Sequence, residues 1–342
     1  MIISRTPFRV SFFGGGTDYP DWIREHGGAV LSTTIDHFVR VRIRPRDDRQ
    51  VRVRSVDRGQ LVAYHLDRGP EYDGVMDLAK AAIERVRVPD GLDMEIASEA
   101  PAGSGLGGSS ALVTAVVAGL AMLGGRAYTA EELARLAYAI EREDLGISGG
   151  WQDQYASAFG GFNLLEFSRE GVAVTPVRVA SDTLDRLQRS LLLCYTGAVR
   201  RDVGLIDTQI SLFRRGREET LLGMKQLTEM AYAMRDAVEA GHVDELGPML
   251  DDAFESKKRM NPHVAEHTPI EAMLAAAREA GATGGKICGA GGGGYLLIAG
   301  PPAAHGSLRA RLEAVGGQLA PFAFHPGGVR ARRGDRVWTP ST

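Results

Sequence analysis

The chain of 342 residues has only two cysteines, Cys194 and Cys288, and they show no metal-ligand spacing. That excludes a disulfide framework and a cysteine-based metal site, and it fits a reducing compartment. Positive charge is not in surplus. There are 40 lysines and arginines against 43 aspartates and glutamates, a net charge of −3. A general nucleic-acid binder is usually basic, so that class is disfavoured. Long apolar runs are also missing. The longest, Ala111–Leu123, falls short of the roughly 20 residues that span a bilayer. The N-terminus, MIISRTPFRV, has an arginine where a secretory signal needs its apolar core. The expectation is a cytoplasmic protein with no membrane partner. Internal repeats and low-complexity segments are absent too. What remains, 44% hydrophobic and 24% charged, is an ordinary globular composition, long enough for two domains.

Several stretches stand out against this background. Pro101–Leu123 starts as a glycine- and serine-rich loop and turns apolar without a break. Pro101, Gly103, Ser104, Gly105, Leu106, Gly107 and Gly108 form the loop. Ser109 and Ser110 stand where a helix begins, and its body is apolar nearly all round, as in a helix buried between layers. Free amides and the helix dipole make such a junction an anion site, with nucleotide phosphates the first candidate. The plainer reading is a capped loop entering a buried helix.

Upstream, residues 2–13 read as a strand broken by Pro7. It runs into Gly14-Gly15-Gly16-Thr17-Asp18, a tight turn that presents a carboxylate and backbone amides. Asp18 can accept hydroxyls of a polyol, and Arg9 can bind an anion. Asp18 can equally be the N-cap of a helix over Tyr19–Glu25. Val39, Val41 and Ile43 alternate with arginines, as do Val51 and Val53. This predicts a hairpin with one buried face and one solvated basic face. A helix is expected over Val75–Val86 and a strand over Leu92–Ala97.

Ala130–Glu143 reads as a helix ending in Glu141, Glu143 and Asp144. Near a phosphate site such acids invite a divalent cation; otherwise they are an exposed helix end. Asp153 follows Gly149-Gly150 at the start of another helix, as a general base or as a first-turn acid facing the dipole. Phe162–Phe167 and Val172–Val179 read as antiparallel strands, and the halves should meet near residues 168–185. Leu191–Tyr195 is a buried strand. Helical patterns run from Val203 to Lys258 and end in the basic cluster Lys257-Lys258-Arg259. Pro269–Ala280 is a further helix, and the stretch 289–294 then packs five glycines into six positions before the strand Tyr295–Ala299. This is not a Walker A loop, since Ile287 follows Lys286 where Ser or Thr is required. A helix (Leu308–Val315), a strand (Gln318–His325) and a polar tail complete the chain.

Three of these stretches, TPFRVSFFGGGTDY (6–19), PAGSGLGGSSA (101–111) and KICGAGGGGY (286–295), together resemble the three signatures of the GHMP kinases. The GGGTD turn, the GGxQDQYA segment and the paired lysines further resemble the D-glycero-D-manno-heptose 7-phosphate kinases and related bacterial sugar kinases within that superfamily. The resemblance covers nearly the whole chain. It implies an α+β, two-domain fold: residues 1–175 as a ribosomal protein S5 domain 2-like unit with a left-handed βαβ crossover, and 176–342 as a ferredoxin-like unit. It also implies ATP over Pro101–Ser110, Mg²⁺ on Ser109 and Glu141, and Asp153 as the base with Arg9 beside it. Asp18, with Gly15, Gly16 and Thr17, would bind the sugar. Lys257, Lys258, Lys286 and Gly291 are the further substrate residues, with Arg200 and Arg201 as weaker candidates for a distal phosphate. The Glu-His pair of galactokinases is missing, because Gly15-Gly16 stand there, and Ser109 with its neighbour Ser110 is what remains of the serine-rich middle of the second signature. The expected partner is thus a small sugar or sugar phosphate, phosphorylated at its anomeric hydroxyl. Another acceptor (fucose, galactose or a longer sugar phosphate), an inactive ligand sensor and a diphosphomevalonate decarboxylase are the alternatives. The number of subunits is not legible.

Overall fold

The computed structural model describes residues 1–198 and 204–341. Its first sheet is built from β1 (Ile2–Phe13), β2 (Gly28–Pro45), β3 (Gln50–Ser55), β4 (Gln60–His65), β5 (Leu92–Ser98), β6 (Phe162–Phe167) and β7 (Val172–Pro176). A second sheet holds β8 (Leu191–Tyr195), β9 (Gly284–Ile287), β10 (Tyr295–Ala299) and β11 (Gln318–Ala320). The chain then returns to the first sheet through β12 (Arg330–Arg333) and β13 (Arg336–Trp338), with β12 antiparallel to β1. The tail expected to be merely polar is therefore two strands, and it crosses the division expected at residue 175.

The first sheet has the order β13-β12-β1-β2-β5-β3-β4, with β6 on β2 and β7 on β6. Val39, Val41, Ile43, Val51 and Val53 are buried, and the arginines between them are exposed, as a period of two requires. The expected hairpin between β2 and β3 does not form. β5 lies between them, antiparallel to β2 and parallel to β3, and β3 makes its hairpin with β4 instead. The basic face is solvated and partly answered by β5 and the residue after it: Arg42 pairs with Glu95 at 2.9 Å, and Arg40 pairs with Glu99.

Pro7 does not break β1. The ladder to β2 shifts register between Pro7 and Arg9 and again between Ser11 and Phe13. The helix after Asp18 spans Pro20–His26 with Tyr19 at its N-cap, so Asp18 is free of the capping role. The apolar helix Gly108–Gly124 is buried along nearly all its length. Helix Ala130–Ala139 changes at Ile140 into a π-helical turn, Ile140–Asp144.

The second sheet is antiparallel with the order β11-β8-β10-β9. Among the described residues four α-helices, Leu205–Arg214, Glu218–Glu239, Leu246–Met260 and Ile270–Glu279, lie between β8 and β9, and His305–Ala314 lies between β10 and β11. That order and connectivity are the ferredoxin-like arrangement. Among the described residues no helix is long and apolar enough to cross a membrane.

Candidate active site

The glycine stretches meet around a cavity of about 580 Å³, within the range of small-molecule sites. Their approach is backbone to backbone. A Cβ on Gly105, at φ +79°, would lie 2.5 Å from the Cys288 carbonyl oxygen. The amide of Tyr295 donates to the Ser104 carbonyl at 3.0 Å. The loop after β5 is thus clamped to the loop before β10, although some 180 residues separate them in sequence.

Pro101, Gly103, Ser104, Gly105, Gly107, Gly108 and Ser109 line the cavity, whereas Leu106 and Ser110 are buried behind it. Gly107, in the left-handed region, starts helix Gly108–Gly124, and no side chain caps it. An uncapped helix start on a cavity wall favours an anion. A triphosphate fits this cradle, where side chains are small and amides are open.

Arg9 and Asp153 are brought together from 144 residues apart. Arg9 Nε donates to Asp153 Oδ1 at 2.7 Å, and Nη2 reaches the same oxygen at 2.6 Å. Nη1 donates to the Gly105 carbonyl at 2.7 Å. The Arg9 side chain is buried, while that of Asp153 is 25% exposed and lines the cavity. Both contacts therefore fall on Oδ1.

Asp18 is buried in the cavity wall. Its oxygens accept from the Gln152 amide (3.0 Å), Gln152 Nε2 (3.0 Å) and the Gly16 amide (3.1 Å). Burial raises its carboxyl above the usual range; the Gln152 and Gly16 amides pull it back, and the Asp153 charge adds to the rise. Gly15 and Gly16 line the cavity beside it. Thr17 does not; its hydroxyl donates to the Gly14 carbonyl at 2.9 Å and to the Ala29 carbonyl at 3.2 Å, closing the turn.

Glu141 is fully buried. Its carboxylate accepts from Ser109, from Ser110 at 2.7 Å and from Gln154. Ser109 is the exposed member of this group and the one on the cavity wall. Glu141 itself does not line the cavity; with its proton committed to that carboxylate, the Ser109 hydroxyl has lone pairs left for a cation, and hydroxyl and carboxylate oxygens are donors that Mg²⁺ takes.

The expected basic residues divide. Lys257 is buried and lines the cavity. Lys258 does not line it and instead pairs with Glu255 at 2.8 Å and Glu271 at 3.2 Å. Lys286 lines the cavity, but its ammonium donates to the carbonyls of Ser11 (2.7 Å) and Phe12 (2.6 Å). Burial pushes it down to about 8. Gly291 packs against Val264, off the cavity. Arg200 and Arg201 lie outside the described residues.

Gln152, Gln154 and Arg142 were not legible as site residues. The Gln-Asp-Gln run was the available signal for the first two, since both glutamines flank Asp153 and hold the other two carboxylates of the site.

The GHMP kinases N terminal domain model matches residues 75–161, and the GHMP kinases C terminal model matches 234–317. The chain is 31% identical over 338 residues to a D-glycero-alpha-D-manno-heptose 7-phosphate kinase of Campylobacter jejuni subsp. jejuni, covering 97% of this chain and 99% of that one. It is 28% identical to a bifunctional fucokinase/GDP-fucose pyrophosphorylase of Arabidopsis thaliana, over 90% of this chain and 30% of that protein. A crystal structure described as a D-glycero-D-manno-heptose 1-phosphate kinase from Bacteroides thetaiotaomicron superposes with a TM-score of 0.81 at 28% identity, covering 97% of this chain and 99% of that one. The chain belongs to the GHMP kinases, phosphotransferases that pass a phosphoryl group from ATP to an alcohol.

Proposed function

We propose that this kinase transfers the γ-phosphoryl of ATP to the anomeric hydroxyl of a heptose 7-phosphate, giving a heptose 1,7-bisphosphate. The observation that carries the reading is Asp153. Arg9 takes up Oδ1, which leaves Oδ2 to accept the proton of an attacking hydroxyl beside the anion-binding loop. An anomeric hydroxyl is more acidic than an ordinary alcohol, so a plain carboxylate suffices as base.

Phosphoryl transfer asks the protein mainly for positioning and charge neutralisation. Arg9 bridges Asp153 to the Gly105 carbonyl, so base and loop are held as one unit. The open amides at the start of helix Gly108–Gly124 receive phosphate charge. Ser109 and Glu141 would hold Mg²⁺, which when bound neutralises charge on the phosphates. Asp18, fixed by both N–H groups of Gln152, accepts sugar hydroxyls. Lys257 supports an acceptor that carries negative charge of its own.

A second reading comes from the Bacteroides relative, whose description gives a heptose 1-phosphate substrate; the accepting hydroxyl would then lie elsewhere on the sugar. A coupled ADP-release assay with heptose 7-phosphate, heptose 1-phosphate, free heptose, fucose and galactose separates the two. Turnover with the 7-phosphate, lost selectively in Lys257→Ala, supports the first reading. Turnover confined to the 1-phosphate moves the acceptor atom, and turnover confined to a free sugar removes the phosphate from the substrate and Lys257 from its binding.

A further inference from the structure

We infer that Arg142 is a specificity-determining residue that binds the phosphate carried by the acceptor sugar, through a guanidinium held ready on the cavity wall. The inference rests on the reading of a phosphorylated acceptor given above.

The π-helical turn Ile140–Asp144 sets the geometry. Glu141 turns inward to Ser109 and Ser110, and the next residue, Arg142, reaches the cavity wall. π-Helical turns are rare, and those that occur within α-helices are frequently at functional sites. The flanking acids do not neutralise Arg142. Asp144 and Glu143 pair with Arg85, at 2.6 and 3.4 Å. Among the described residues no carboxylate pairs with Arg142. Its contacts are two long hydrogen bonds, Nη1 to the Ile147 carbonyl at 3.2 Å and Nη2 to the Gly150 carbonyl at 3.4 Å, and its Nε is buried with no partner.

The guanidinium is nevertheless held in place. It lies over the Tyr138 ring, 5.9 Å from the centroid, and Tyr138 is stacked on Trp151 with centroids 3.4 Å apart. The backbone leaves room for it: a Cβ on Gly149 would lie 2.4 Å from Nη2. The adjacent Gly150 makes the same allowance for Asp18, the proposed hydroxyl acceptor, whose Oδ2 would be 2.0 Å from a Cβ there. One glycine pair therefore admits both side chains to the same wall. Of the other cations lining the cavity, Arg9 is committed to Asp153 and Lys286 to two carbonyls, while Lys257, already assigned to the acceptor's charge, and Arg58 line it as well. A flat fork of donors with weak backbone bonds and no counter-ion matches a phosphate dianion in shape and charge.

The test compares kcat/KM for heptose 7-phosphate with that for free heptose, in the wild type and in Arg142→Gln, with the ATP-induced thermal shift as the check on folding. Wild type should prefer the phosphorylated sugar, and in Arg142→Gln the ratio should fall by about thirtyfold or more, the loss of a charge-assisted fork. Arg142→Lys, which keeps the charge but not the fork, replaces Gln if that variant does not fold, with a fall of about tenfold expected. A wild-type preference that survives in the variant overturns the role of Arg142 alone. A wild type without preference overturns the phosphorylated acceptor, and Arg142 as its reader with it.

Discussion

Asp153→Asn separates the base from the scaffold, and the burial of Arg9 dictates the choice of substitution. The Arg9 side chain is only 4% exposed, and two of its nitrogens end on Asp153 Oδ1. Asp153→Ala would leave that guanidinium with the Gly105 carbonyl alone, and breaking a buried pair in this way costs roughly 3–5 kcal/mol. A fall in activity would then be confounded with unfolding. Asn keeps an oxygen for Arg9 and places an amide nitrogen where Oδ2 stood, and an amide nitrogen accepts no proton. A positioned general base contributes about a hundredfold to ten-thousandfold, equivalent to roughly 2.7–5.5 kcal/mol of barrier. In the ADP-release assay kcat should therefore fall at least about a hundredfold, while the ATP dissociation constant from calorimetric titration moves less than about threefold. Turnover within about tenfold of wild type would refute the assignment of the proton to Asp153. A loss of ATP affinity matching the loss of turnover would assign Asp153 to holding the loop, through Arg9 and Gly105, instead.

Two further predictions follow from the packing and the charges. Gly105→Ala sets a Cβ 2.5 Å from the Cys288 carbonyl at φ +79°, so urea unfolding should show a loss of about 1–3 kcal/mol together with a raised KM for ATP; unchanged values would mean the two glycine loops are not clamped in solution. Lys286 is pushed from the ordinary 10.5 down to about 8, so between those values the unfolded chain binds the extra proton; the destabilising contribution is full below pH 8 and fades as pH rises. Relative to Lys286→Met, the wild type should gain about 3 kcal/mol of unfolding free energy between roughly pH 7 and pH 10.5, and a flat difference would show that this ammonium titrates like an exposed lysine.

Elements defined by local pattern were legible, and elements defined by a distant partner were not. β8 and β10 carry their bounds in short apolar runs, and the buried helix after the serines begins within a few residues of its expected start. The hairpin expectation failed because alternation identifies a buried face without naming the neighbouring strand. Leu92, Met94 and Ile96 of β5 alternate as well as β3 does, and Glu95 of β5 answers Arg42 of β2. The helix expected through Glu143 does run that far, but it changes from α to π at Ile140, a change periodicity does not announce, where Glu141 bonds two serines 31 and 32 residues away.

The candidate site shows the same division one level down. The three glycine stretches announce a shared pocket, yet each makes irregular backbone that needs donors of its own. Thr17 spends its hydroxyl on the glycine turn. Lys286 spends its ammonium on the Ser11 and Phe12 carbonyls, where the β1–β2 ladder slips register. A polar residue beside such a motif thus has two competing roles, as ligand contact or as partner to the orphaned backbone, and residue type does not choose between them. The paired lysines show the same split. Consecutive residues on a helix point about 100° apart, so Lys257 and Lys258 meet different surroundings. The structure gives the cavity to Lys257 and two surface glutamates to Lys258. Which lysine faced inward was not legible in the sequence, because it depends on how helix Leu246–Met260 packs against β9 and the rest of the second sheet.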